Sequence, residues 1–212
     1  MATMKLNGLS NLRTRPATYH DLPQIEALIA GSMRVLGGRD YSHEQIESAL
    51  IYLLGVDPRL IDDGTYTVAE IDSEIVAAGG WSRRQAMYGR GDASTPGEDP
   101  CWLDPRRDAA RLRALFVHPS WARHGLGRLL VRLAEYGARD QGFRSMELLA
   151  THTGLGLYQA SGYRVIKPVE ITLPDGVLFQ GTMMRKSLLP GLARRTLTAP
   201  RQTTTGLYRM IR

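Results

Sequence analysis

The chain has 212 residues, 43% of them hydrophobic, ample for the core of one domain with at most a small appendage. Its formal charge of +6 is unevenly placed: residues 188–212 hold Arg194, Arg195, Arg201, Arg209 and Arg212 and no acid, so this tail carries +5 and everything before it only +1. A nearly neutral domain argues against a nucleic-acid binder, no run reaches the ~18 apolar residues of a membrane-spanning helix, and one cysteine, Cys101, allows no internal disulfide.

After an N-terminal extension of residues 1–11, Leu12 to Thr18 predicts a short strand. Asp21 opens a helix: with Gln24 it makes a capping box, and Leu22, Ile25, Leu28, Ile29, Met33 and Leu36 keep helical spacing up to Gly37-Gly38. Ser42 with Gln45 repeats that signature, and Ile46, Ala49, Leu50, Leu53 and Leu54 give a second helix its apolar face. Thr65 to Ile71 and Glu74 to Trp81 are strand-like and joined by Asp72-Ser73, which predicts an antiparallel hairpin. Residues 83–110 change character, interrupted by Gly89, Gly91, Pro96, Gly97, Pro100 and Pro105. They form an insertion, either a cover or a mobile segment, with Cys101-Trp102-Leu103 pinning it to the domain.

Arg111 to Val117 is the next strand. The helix after it turns Leu126, Leu129, Leu130, Leu133, Ala134 and Gly137 inward and Arg128, Arg132, Glu135 and Arg139 outward. Gly142 stops it before the strand Met146 to Ala150, and a strand, crossover helix and strand in that order imply a parallel pair. A short helix at Thr153 to Ser161, a strand from Tyr163 to Ile171, a turn at Leu173-Pro174-Asp175-Gly176 and a strand through Met184 complete a domain spanning residues 12–187. The class is α/β: a mixed, mostly antiparallel central sheet with one parallel pair and flanking helices, in the order β-α-α-β-β-β-α-β-α-β-β. The tail at 188–212 reads as a solvated terminus.

The turn between Val117 and Leu126 has the properties of an anion site. Gly125 and Gly127 carry no Cβ, so backbone can approach a phosphate, and the unpaired N–H groups of a helix's first turn point at it with the positive end of the dipole behind them. Arg123, His124 and Arg128 add positive or potentially positive side chains. The dinucleotide fingerprint lacks its third glycine, because Leu130 stands there, and no Gly-Lys-Ser/Thr of an ATP loop follows.

Val117-x-Pro119 followed by Gly125-x-Gly127 and a Leu-rich helix resembles the acetyl-coenzyme A motif of the GNAT superfamily of N-acetyltransferases. Leu157-Tyr158-Gln159-Ala160-Ser161-Gly162-Tyr163 resembles that family's Leu-Tyr-x-x-x-Gly-Phe/Tyr segment. The resemblance implies a GNAT-like fold, acetyl-coenzyme A as co-substrate, and an amine-bearing acceptor. Under it, the strand at Leu115, Phe116 and Val117 runs along the pantetheine arm, with backbone groups of Phe116 and Val117 pairing it as another strand and Val117 N–H polarising the thioester carbonyl. The N–H groups of Arg123, His124, Gly125, Leu126, Gly127 and Arg128 would bind the pyrophosphate. Tyr158 would protonate the departing thiolate, and Thr151 stands where the family often has Asn. Ala122 departs from the Arg or Gln usual three residues before the first glycine, which removes one side-chain contact.

The base for the acceptor amine stays open among Asp104, Asp108, Glu147, His118 and a water relay. His118 and His124 have no metal-ligand spacing and Cys101 has no activating partner, so neither a metal site nor a thiol nucleophile is expected. Two functions compete. One is an acetyltransferase working by direct attack in a ternary complex, its acceptor shaped under the resemblance by Gly37 to Ser42 and Leu173 to Val177. The other is a non-catalytic acetyl-coenzyme A sensor contacting a partner through the insertion or the tail. A lone cysteine and a start without an apolar signal run agree with a cytoplasmic setting, and strands at the sheet edges suit a homodimer.

Overall fold

A computed structural model describes residues 11–88 and 102–189. Nearly all of the N-terminal extension, residues 89–101 of the insertion with Cys101, and the five arginines of the tail lie outside the described residues. Seven strands, β1 (Arg13–Pro16), β2 (Tyr66–Ile71), β3 (Glu74–Ser82), β4 (Ala110–Val117), β5 (Ser145–Ala150), β6 (Arg164–Thr172) and β7 (Leu178–Ser187), form one sheet in the order β1-β2-β3-β4-β5-β7-β6. All neighbours are antiparallel except β4 and β5. The helices are α1 (Leu22–Leu36), α2 (His43–Tyr52), α3 (Arg59–Asp62), α4 (Leu126–Asp140) and α5 (Leu155–Ala160). The expected mixed α/β architecture is therefore present; α3, a single turn after Pro58, is too short for periodicity to reveal.

The sheet is covered on both faces. On one, α1 sets Ile25, Leu28 and Ile29 against Tyr66, Val68 and Ala78. On the other, α4 sets Val131, Ala134 and Ala138 against Trp81, Leu112 and Met146, and Leu126 and Leu130 against Val76 and Ala77. One residue of α4 departs from the pattern: Glu135, expected on the outer face, is buried, and both its oxygens accept from Lys186 Nζ at 2.7 Å. Burying each large aliphatic side chain contributes on the order of 1.5–3 kcal/mol, so the inner face of α4 offsets the cost of one paired carboxylate.

Ser42 and Gln45 make the expected capping box on α2, with Gln45 N–H donating to Ser42 Oγ at 3.1 Å and Ser42 N–H to Gln45 Oε1 at 3.0 Å. Asp21 behaves differently. Its carboxylate points backward, accepting from Thr18 N–H at 2.7 Å and Thr18 Oγ1 at 2.9 Å, and is gripped by Arg15 at 2.7 and 2.8 Å; Gln24 takes no part. Arg15 also donates to Glu70, tying β1, β2 and the start of α1 together. The Arg15 guanidinium holds the Asp21 carboxyl well below the usual carboxylate range. A depressed folded-state value means that the stabilisation is present above the unfolded-state value and lost as pH falls through the folded one. Thermal melts should accordingly show wild type losing stability on acidification below about pH 4 more steeply than Asp21→Asn, which lacks the titrating group.

Candidate active site

The site begins where β4 stops being a regular strand. Gly80 pairs with Arg113 and Ala78 with Phe116, so Ala114 and Leu115 of β4 oppose the single residue Gly79 of β3: a β-bulge. Ala114 sits at φ +47°, a left-handed conformation that costs a residue with a Cβ some strain. Its carbonyl is fixed by the fully buried Tyr66, whose hydroxyl donates to it at 2.7 Å. The bulge has room only because β3 offers glycine opposite it: a Cβ on Gly79 would lie 3.0 Å from Leu115 Cγ.

On the other side β4 and β5 part company. They pair only at Ala110 with Met146 and Arg111 with Glu147, after which β4 continues to Val117 with its outer edge unpaired. The opening holds a cavity of about 80 Å³ whose walls include Leu112, Arg113, Phe116, Ala150, Thr151 and Tyr158. His118 N–H donates to Val76 O at 2.8 Å, so by strand alternation the N–H of Phe116 also faces β3, while the N–H of Val117 faces the opening. For Phe116 the expectation needs correction: its backbone is committed to β3, its side chain packs beneath the site, and the second backbone edge on the opening belongs to Leu115.

The glycine loop continues directly from this edge. His118 Nδ1 accepts from Ser120 N–H at 3.2 Å, capping the turn Pro119–Trp121, and Arg123 takes φ +69° before Gly125 takes +92° as N-cap of α4. The helical ladder begins with Leu129 N–H on Gly125 O at 3.0 Å, which leaves the N–H groups of Leu126, Gly127 and Arg128 without intrahelical acceptors. The Arg123, His124 and Arg128 side chains are exposed around them, while Leu126 is buried and contributes backbone alone. A Cβ on Gly127 would lie 2.9 Å from Leu157 Cδ2 and 3.7 Å from Val117 Cγ2, so the first turn of α4, the end of β4 and α5 converge at one point.

Tyr158 stands on α5 at the wall of the opening, 7% exposed, edge-on to Tyr163 with centroids 5.9 Å apart. Its hydroxyl has no hydrogen-bond partner among the described residues, and burial pushes its pKa above the ordinary phenol value, so it holds its proton at neutral pH. Thr151 is close by, but its Oγ1 accepts from Gly154 N–H at 3.3 Å and caps the turn leading into α5. A hydroxyl that accepts there still has its own proton to donate.

None of the four candidate bases lines the opening. Glu147 is held by Arg111 and by Arg185 at 3.1 Å. Asp108 accepts from Asp104 N–H at 2.7 Å and Asp104 from Arg106 N–H at 2.9 Å, so both stabilise one turn, and His118 caps its own. Among the described residues no group of three His, Cys, Asp or Glu side chains could hold a metal ion, and no helix is long and apolar enough to cross a membrane. From the insertion, Arg84 bridges to Trp102, whose ring lies under Arg83 and Arg84 at 4.3 and 4.4 Å, and Tyr88 reaches the opening. These Trp102 contacts stay within the insertion, and it is Leu103 that packs against the domain core around Trp81 and Phe143. Motif reading missed the supports, Tyr66, Gly79 and Gly80; the Gly-Gly pair inside a strand was the available signal for a bulge.

Residues 62–165 match the family described as Acetyltransferase (GNAT) domain. Among solved structures, a GCN5-related N-acetyltransferase from Rhodopseudomonas palustris is similar at 19% identity with TM-score 0.62, over 84% of this chain and 97% of that one. The PaiA N-acetyltransferase from Thermoplasma acidophilum, solved with coenzyme A, is 15% identical with TM-score 0.56, over 83% and 98%. A GNAT family acetyltransferase from Brucella melitensis, solved with acetyl-coenzyme A, is 16% identical with TM-score 0.51, over 84% and 89%. No curated protein sequence matches the chain.

Proposed function

The chain carries an acetyltransferase domain of the GNAT superfamily, and from that premise we propose that it moves the acetyl group of acetyl-coenzyme A to an amine by direct attack in a ternary complex. The observation that carries this reading is the continuity of three features: the unpaired edge of β4, the free N–H groups at the start of α4, and an unpartnered phenol on α5, all meeting around Val117 and Leu157. The residues fit the co-substrate. Leu115 and Val117 offer a strand edge to the amide-bearing pantetheine arm, and the first turn of α4 offers donors to the pyrophosphate. Arg123 and Arg128 add charge that compensates for Ala122.

The thioester is already activated, so the protein's task is placement. The amine nitrogen forms a bond to the carbonyl carbon, the C–S bond breaks, and the products are an N-acetyl amide and the coenzyme thiol. Val117 N–H stabilises charge developing on the carbonyl oxygen, and Tyr158 supplies the proton for the departing sulfur. The amine releases its proton to water, since each candidate carboxylate is engaged elsewhere, and a proton from water then returns Tyr158 to its neutral form.

Calorimetry with acetyl-coenzyme A, followed by thiol detection on adding amines, tests the reading. Wild type should bind and release thiol. Gly125→Val, which forces a β-branched residue to +92°, should weaken binding about tenfold or more. Binding without thiol release from any amine would instead support the sensor, and no binding would overturn both.

A further inference from the structure

The two segments that border the acceptor side of the opening are sewn together. Tyr41 OH donates to Gln180 O at 2.8 Å, Gln45 Nε2 to Leu178 O at 2.8 Å, and Ser48 Oγ to the Asp175 carboxylate at 2.6 Å. Thr153 Oγ1 adds a bond to Asp40 at 2.6 Å. Beneath these bonds Tyr41 stacks on Phe179 with centroids 4.6 Å apart, inside a buried cluster that includes Met33, Ile46, Leu53 and Leu173. Burial pushes the Tyr41 phenol up to about 12, so it remains a donor throughout the neutral range. α2 and the β6–β7 hairpin therefore share a core, and among the described residues these contacts close the space between them to a polypeptide.

What remains open is the mouth marked by Tyr88, which is 44% exposed. The lining also includes the apolar Leu53, Leu54, Phe116, Leu149 and Phe179, together with the polar side chains of Thr151 and Tyr158. Among the described residues the one charged side chain lining the opening is Arg113, buried, 3.7 Å from Asp57 and donating to Ala86 O at 2.9 Å. Among the described residues no carboxylate lines the opening to hold a second ammonium on the acceptor.

We infer that the acceptor is a small primary amine with an apolar or aromatic body and no second cationic group, rather than a polyamine, a peptide N-terminus or a lysine of a folded protein. This rests on the transferase reading above. The aromatic and aliphatic walls favour such a body by excluding water, and the sealed face excludes an acceptor that must continue as chain.

The test measures kcat/KM by thiol release with 2-phenylethylamine, spermidine and a tetrapeptide with a free N-terminus and an internal lysine. The inference expects 2-phenylethylamine to exceed both others at least tenfold. Faster reaction with spermidine or the peptide, or no thiol release with any of the three, would overturn the acceptor class; the transferase reading itself falls only if no amine of the wider set releases thiol. Tyr88→Glu gives a second readout, since a carboxylate at the mouth should raise spermidine relative to 2-phenylethylamine about tenfold. An unchanged ratio would overturn the placement of the acceptor's body at that mouth.

Discussion

Replacing Tyr158 with Phe should lower kcat by about 10²- to 10³-fold while leaving acetyl-coenzyme A affinity within about twofold of wild type, because a positioned proton donor acts on the step and not on binding. The substitution is mild for the fold: Tyr158 packs edge-on to Tyr163 and its hydroxyl holds no partner among the described residues, so losing the oxygen breaks no hydrogen bond there. Burial raises the phenol's pKa, so the hydroxyl first offers the sulfur a hydrogen bond and yields its proton only as the C–S bond gives way. The wild-type pH profile should for the same reason show no loss from Tyr158 ionisation below about pH 10, while Phe removes the contribution at every pH. Titration calorimetry paired with thiol-release kinetics separates the two constants. A kcat unchanged in Tyr158→Phe would assign the tyrosine to packing alone and leave water as the proton donor.

Features whose partners are close in the chain are legible in its periodicity and punctuation. Ser42 with Gln45 specifies its cap because both partners are local, and the amphipathic α4 announces its buried Leu126, Leu130 and Ala134 through 3.6-residue spacing. The parallel pair follows from a strand, helix and strand in series. What escapes such a reading depends on partners on other elements, whether six positions away or fifty-one. Asp21 looks like an N-cap aimed at Gln24 until Arg15 claims its carboxylate, and Glu135 looks solvent-facing until Lys186, on a strand fifty-one positions away, lies over it. Within the site, Tyr158 and the glycine loop are readable from local motifs, whereas the edge that Val117 presents is not fully so. Which backbone groups face the opening depends on the bulge at Ala114, and the bulge depends on Tyr66 and on the two glycines of β3.

That dependence makes Gly80→Ala the second large effect. A Cβ there would come within 2.4 Å of Thr65 O, 2.8 Å of Tyr66 Cδ2 and 2.9 Å of Tyr66 Cα, and two of these three are backbone atoms that no side-chain rotation can move. Strand β3 must then shift away from β2, stretching the bond from Trp81 N–H to Thr65 O, now 3.2 Å, and displacing Tyr66 from the Ala114 carbonyl. Overpacking of this kind costs about 3 kcal/mol, and for a domain of this size that lowers Tm by roughly 6–12 °C. Acetyl-coenzyme A affinity should fall in the same variant, because the bulge that turns Leu115 and Val117 toward the opening loses its support. Tyr66→Phe keeps the ring and removes only the hydroxyl, leaving the Ala114 carbonyl without its donor, so it should cost about 1–3 kcal/mol in stability. Measured together by thermal melts and calorimetry, the two variants distinguish sources of the defect: affinity lost in both means that the bulge itself orients the binding edge, whereas affinity lost in Gly80→Ala alone would trace it to the displacement of β3.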